Sequence, residues 1–492
     1  MLNELGRIIE NHARIHADQT YLWADTETPR RWTYGQLADD VAARMTELRD
    51  AGVHAGDRVA LVVAHPGEFV VTWLAIMVLD AIAVPISPRA PEVDRNRTLH
   101  IAGANWVIAD CSMEVPESRG WLELVNGHIT SRRVPPARIM STLQGGGNIL
   151  LTSGTTGDPK PVGLPLSSLL HTAQVVVESH QLSSSDIGFS PLPLFHINAE
   201  VVAVLGTLLA GAQMVLPMQF HASRFWDIAN RYNVSWINAV PSILTVMVQR
   251  EGGPDDTSRL RFIRSASAPL PVPTLQRVEQ RWHIPVIETY GLSEAASQVA
   301  ANPLYAGRAG SVGVPTGTAI RIVDEQGIPC PVGTVGQVEI QGPSVVDPHW
   351  GPNRWAASKS RGGWYQTGDL GRFDSEGYLY LEGRLRELIN RGGEKIFPRE
   401  VEEWLLTHPG VADCAVVGRP HPLLGEEPVA FIVPVDGTTS VADELTTWVP
   451  EHLSRFKCPA EYFVVNSLPK GATGKISRLE LRKRVTEKGA GA

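Results

Sequence analysis

Short Val/Ile-rich runs that alternate with helical patterns constrain this chain more than any single residue does. "RVALVVA" (58–64), "AIAVPIS" (81–87) and "NWVIAD" (105–110) are separated by helix-like stretches. Nearly continuous apolar strands with helices between them are the pattern of βα units, whose strands pair in parallel and are covered on both faces. "EVVAVLGTLLAG" before "AQMVLP", and "FWDIANRYN" before "VSWINAVPS", continue it. From about Ala319 the texture changes to glycine-punctuated strands, "AIRIVDEQG", "GQVEIQG" and "GYLYLEG", which predict antiparallel pairing. After "GRLREL" (383–388) a shorter unit begins, with the helix "PREVEEWLLTHP", two strands and the helix "DELTTWVPEHL". The expected fold is α/β: a large N-terminal domain (1–383) of stacked βα sheets plus a small antiparallel barrel-like sheet, then a small α+β domain (384–492).

At 492 residues the chain exceeds one ordinary core, in keeping with that division. Its formal net charge of −8 argues against a broad basic face, so no nucleic-acid partner is expected. Four cysteines with no close pair suggest neither a zinc site nor a disulfide framework, and a cytoplasmic location is expected. The longest apolar run, Phe69 to Pro88, is interrupted by Asp80 and proline. It reads as a buried helix entering a strand and not as a membrane span.

One loop carries a ligand signal. "LLTSGTTGDPKPVGL" (150–164) concentrates hydroxyls, two glycines and Lys160. Backbone amides in such a turn converge on phosphate oxygens, hydroxyls add donors, and lysine supplies a countercharge. The spacing is not that of a Walker loop, because Lys160 lacks the preceding glycine and the following Ser/Thr. Taken alone, the stretch also fits a polar turn held by Asp158-Pro159.

Further segments follow it in a fixed order: "PLFHINA" (193–199), "SASAPL" (265–270), "ETYGLSEA" (288–295), "WYQTGDLG" (364–371), "GRLRELINRGGEKIFPREVE" (383–402) and "LPKGATGKISR" (468–478). Together with "TSGTTGDPK" they resemble the acyl-adenylate-forming superfamily over essentially the whole chain. The resemblance implies that a carboxylate attacks the α-phosphate of ATP, that pyrophosphate leaves, and that a second nucleophile captures the acyl-AMP. Positioning and charge neutralisation dominate such chemistry.

By that resemblance, Thr152, Ser153, Gly154, Thr155, Thr156, Gly157 and Lys160 would cradle the departing phosphates. Ser267, Ala268, Tyr290 and Gly291 would border adenine and the acyl group, and Asp369 and Arg384 would grip the ribose. Ser293 would lie near the α-phosphate, and Glu294, with Thr152, would face Mg²⁺. Lys475 would reach from the small domain to the reacting oxygens. Arg386 would be the hinge about which that mobile domain turns, exchanging the Lys475 face for the one carrying Asn390 and Lys395 on the acceptor side. His196 would stand where acyl pocket meets acceptor tunnel, with Asn198 beside it.

Glu200 lies four residues after His196, and the two would share a face if the stretch is helical. It is open to three readings: pairing with His196, solvation, or attraction of a cationic substrate. CoA is the expected co-substrate, with an amine acceptor (an amide synthetase) or a carrier protein as alternatives. The acid is expected to be small, with an aromatic acid preferred, because Ala and Ser are frequent in "FHINAE", "NAVPSIL" (238–244), "SASAP" and "SEAASQVAAN" (293–302), the segments expected to wall the acyl pocket. Two departures stand out. Pro161 removes an amide donor at the loop's exit, and "SASA" replaces a more usual Gly-Ala-Ala arrangement.

Overall fold

The computed structural model describes residues 2–111, 113–135, 145–152, 159–435, 441–470 and 476–489. Two large sheets form the body. The first has nine strands, in the order Val314–Pro315, Ser297–Ala301, Val286–Leu292, Phe262–Ser265, Trp236–Ala239, Ile187–Phe189, Gln213–Pro217, Thr20–Asp25 and Arg30–Thr33. Its six central strands run parallel, and antiparallel pairs close both edges. The second has seven, in the order His128–Arg133, Gly120–Val125, Trp106–Ala109, Arg58–Val62, Ile82–Pro85, Gly147–Thr152 and Lys160–Pro165. The runs at 58, 81 and 105 are thus strands at the centre of one parallel sheet, as expected.

Helices sandwiched between the sheets join them into one core. Helix Pro66–Val78 is apolar on every side, and all of it but Glu68 is buried, which is where a helix without a polar face must go. Proline at its first turn and the His65 side chain accepting the Glu68 N–H fix its start. With helices Tyr34–Ala51 and Leu166–Ser179 and the helical segment Asn198–Leu205, it fills the space between the sheets. The outer face of the first sheet packs on Phe225–Arg231, Pro241–Val248 and Val272–Trp282, and that of the second on Glu92–Ala102.

A third sheet, antiparallel throughout, is built from Ala319–Val323, Gly336–Gln341, Ser360–Arg361, Trp364–Phe373 and Leu379–Arg384. A single 3₁₀ turn, Leu385–Glu387, follows its last strand. Ile389–Arg391 already belongs to a fourth sheet, with Glu394–Ile396, Val411–His421, Gly425–Pro434 and Tyr462–Val464. That sheet has cores of its own on both faces. Among the described residues no helix is long and apolar enough to cross a membrane, and the apolar run after Phe69 is a buried helix and strand.

One element departs from expectation. Asn198–Leu205 winds as a π-helix and only Gly206–Ala210 as α-helix. Apolar periodicity marks such a stretch as buried and helical but does not separate the two windings. His196 precedes the helix, where its carbonyl accepts the N–H groups of Ala199 and Glu200.

Candidate active site

Three antiparallel strand pairs deliver the site. Strand Val286–Leu292 ends at Tyr290 and Gly291, and the following 3₁₀ turn, Ser293–Ala295, carries Ser293 and Glu294. The Tyr290 hydroxyl donates to Asp369, whose other oxygen meets Arg384 Nε at 2.8 Å. Asp369 and Arg384 are direct partners across their strands, so the register of the third sheet sets this pair. Burial, then the Asp369 charge, hold the Tyr290 phenol well above its usual value, so it acts as a donor. Asp369 is the largest influence on Arg384 and raises its pKa. Glu294 stands near enough to act electrostatically on both Arg384 and Tyr365. The sequence-predicted Tyr290, Asp369, Arg384 and Glu294 therefore form one cluster.

The loop is the connection of a hairpin. Thr152 ends one strand and Lys160 begins the next, directly opposite, with the Thr152 hydroxyl donating to the Lys160 carbonyl at 3.4 Å. Ser153, Gly154, Thr155, Thr156 and Gly157 lie outside the described residues, as does Lys475. The Lys160–Pro165 strand packs against the turn that carries Glu294, which brings loop and cluster together. A device absent from the sequence reading holds the loop's exit. Trp355 Nε1 donates to the Pro161 carbonyl at 2.8 Å, and the Lys160 ammonium lies 5.7 Å from the centre of the Trp355 ring. Buried Asn353 both accepts the Gly163 N–H (2.8 Å) and donates to its carbonyl (2.7 Å). Side chains from 353–355 thus bond the backbone on both sides of Val162 at the loop's exit.

Around the expected acyl pocket the structure adds and corrects. Asn198 Nδ2 donates to Ser267 Oγ at 3.3 Å, and Ser267 adopts φ +73°, a left-handed backbone that costs a non-glycine residue about 1–2 kcal/mol. His196 lies beside the Phe195 ring, centroids 4.5 Å apart. Glu200 is neither solvated nor placed to attract a cation. It is fully buried between the sheets and accepts from Asn148 Nδ2 at 2.5 Å, while Asn148 Oδ1 accepts from Trp73 at 3.1 Å. Burial, opposed by the hydrogen bond from Asn148, raises its pKa well above the usual carboxyl value. Lys395 pairs with Glu325 of the third sheet's turn at 3.1 Å, and Asn390 caps its own hairpin through the Gly393 N–H. Neither touches the Tyr290 cluster. Arg386 is exposed in the turn between the third and fourth sheets.

One residue that the motifs do not single out sits at the centre of the expected pocket walls. Arg264, on the "FIRS" strand, is 1% exposed and donates to Asn198, Asn238 and Gln298. In the sequence it is an arginine between Ile263 and Ser265, and the structure buries all four positions of that strand. Buried Glu288, at the start of "ETYGLSEA", was also passed over; one oxygen accepts the Leu270 N–H and the other has no hydrogen-bond partner among the described residues.

With this geometry the kinship is specific. The family model for AMP-binding enzymes matches residues 9–350, and that for the C-terminal domain of AMP-binding enzymes matches 400–475. The chain belongs to that family, and it is an AMP-forming acid–thiol ligase. Among its relatives, a sulfoacetate–CoA ligase of Cupriavidus necator is 32% identical, with 98% of each chain covered. An oxalate–CoA ligase of Arabidopsis thaliana is 33% identical, with 98% of this chain and 99% of the relative covered. A solved o-succinylbenzoate coenzyme A synthetase from Bacillus subtilis, in complex with ATP and magnesium ion, is 27% identical with a TM-score of 0.83, covering 99% of both chains.

Proposed function

We propose that this ligase activates a small carboxylic acid with ATP and hands the acyl group to the thiol of CoA, in the cytoplasm. The observation that carries the reading is the Tyr290–Asp369–Arg384 relay beside Glu294 at the foot of the loop hairpin. Asp369 and Arg384 hold the ribose hydroxyls, Tyr290 and Gly291 lie along the adenine, and the loop from Thr152 to Lys160 retains the β- and γ-phosphates. The acid's carboxylate oxygen bonds to the α-phosphorus, and the bond to the bridging oxygen breaks toward pyrophosphate. Lys475 donates to the oxygens that gain charge at that step. The thiolate then attacks the acyl carbonyl, and AMP leaves. Arg386 is the hinge on which 384–492 turns between the steps, with His196 at the mouth of the acyl pocket and Asn390 and Lys395 on the acceptor side.

Mg²⁺ suits the residues present. Among the described residues no group of three His, Cys, Asp or Glu side chains is placed to hold a metal. The donor set suits an ion that keeps waters and takes much of its coordination from phosphate, with Glu294 supplying the carboxylate and Thr152 a hydroxyl. Bound there, it would neutralise phosphate charge.

The amine alternative loses its main support, because Glu200, the residue that was to recruit an ammonium, is buried and bonded to Asn148. The relatives above are named for CoA. The test is acid-dependent pyrophosphate release followed by mass spectrometry with CoA or an amine supplied. Acyl-CoA is the expected product, and amide without acyl-CoA would overturn the reading.

A further inference from the structure

Arg264 is a fixed charge in the interior with no carboxylate to answer it. Among the described residues no Asp or Glu oxygen pairs with it, and its hydrogen-bond acceptors are three neutral amide oxygens: Asn198 and Asn238, each 3.0 Å from Nη1, and Gln298, 3.3 Å from Nη2. Nε has no partner. The side-on edge of the guanidinium, Nε with Nη2, therefore carries a single long hydrogen bond. That edge is the fork that matches two oxygens of a carboxylate or sulfonate. Burial pushes the guanidinium down to about 9, so it stays charged at neutral pH with no carboxylate partner among the described residues.

Its position is that of a ligand site. Asn238 and Arg264 are register partners near the carboxyl ends of adjacent parallel strands, where open α/β sheets bind ligands. Gln298 lies directly opposite Gly291, next to Tyr290 of the nucleotide cluster. Asn198 links Arg264 to Ser267, which lies in an exposed turn. The three amides come from the segments 193–200, 238–244 and 293–302.

We propose that the acid this ligase activates carries a second anionic group, and that Arg264 receives it through its Nε–Nη2 edge while the first carboxylate reacts at the nucleotide. The inference rests on the ligase reading above and on those three segments walling the acyl pocket. The role is specificity-determining: Arg264 binds the end of the acid that does not react.

Matched acids test it: butyrate against succinate, propionate against 3-sulfopropionate, and benzoate against phthalate, each followed by pyrophosphate release. In at least one pair the dianion should exceed its monoanion in kcat/KM by about a hundredfold or more. Arg264→Gln should raise the KM for that dianion by a similar factor and leave the KM for ATP within about threefold. If Arg264→Gln does not fold, Asn238→Asp, which sets a carboxylate against the guanidinium, should raise the dianion KM selectively. Equal or better turnover of the monoanions by the natural chain overturns the inference and leaves the ligase reading standing. Absence of pyrophosphate release with every acid overturns the ligase reading itself.

Discussion

Asp369 shows how much one residue carries: it accepts from Tyr290 and Arg384 at once, and it is nearly buried. Asp369→Asn keeps the shape and removes the charge. Hydrogen bonds to a charged group contribute roughly 1.5–3 kcal/mol, so the KM for ATP should rise about tenfold to a hundredfold in initial-rate measurements. An unchanged KM would remove Asp369 from the ribose site. Glu288 makes a prediction about pH. Burial, opposed by Arg399, moves its carboxyl from the usual 4.5 to about 7. The native state keeps a proton that the unfolded chain loses between those values, so this group's contribution to stability is complete below about 4.5 and falls as pH rises to about 7. The loss is on the order of 3 kcal/mol. Glu288→Gln should therefore raise Tm relative to the natural chain at pH 8 more than at pH 5; an equal shift at both rejects the assignment. Residues inside motifs, such as Tyr290, Asp369 and Arg384, were legible in the sequence. Arg264 was not, nor was Glu288 despite its place at the head of a motif, because what matters about both is the partners they lack among the described residues, and only the fold decides which partners arrive.

At the scale of elements, the parallel strands could be read from their apolar runs because burial on both faces leaves a continuous pattern. The π-helix at Asn198–Leu205, from which Glu200 meets Asn148, could not. The hairpin joining Thr152 to Lys160 was legible as a loop but not as a clamped one, since its restraint comes from residues about 190 positions later. Asn353 satisfies both backbone groups of Gly163, and the Trp350 ring covers the same glycine so closely that an added Cβ would lie 2.8 Å from it. Asn353→Ala leaves a buried N–H and a buried carbonyl unmet, at about 1–3 kcal/mol each. Denaturant titration should show a loss of about 2–6 kcal/mol, and the KM for ATP should rise with it. A full-stability variant would show that the 353–355 segment does not hold the loop.

Across the whole molecule, two large sheets share one core while the fourth sheet keeps cores of its own, and the chain passes between these bodies through a single turn. The contacts described across that passage are polar: Lys395 with Glu325, Arg399 with the Leu381 carbonyl, and Arg478 with Glu387. Polar contacts exchange at less cost than an apolar interface, which suits a small domain that presents different faces in turn. The start of a shorter unit after 383–388 could be read from the sequence; the pairs that dock the bodies could not, because surface charges have no periodic signature. If the domain turns, residues on its opposite faces serve different steps. Lys475→Ala should lower acid-dependent pyrophosphate release by about a hundredfold or more, the scale of losing one donor to a developing charge. Conversion of a supplied acyl-adenylate and CoA to acyl-CoA should stay within about threefold, since that step uses the other face. Lys395→Ala should show the converse, sparing adenylation and slowing thioester formation. Equal loss of both steps in both variants would mean that one arrangement of the domains performs the whole reaction.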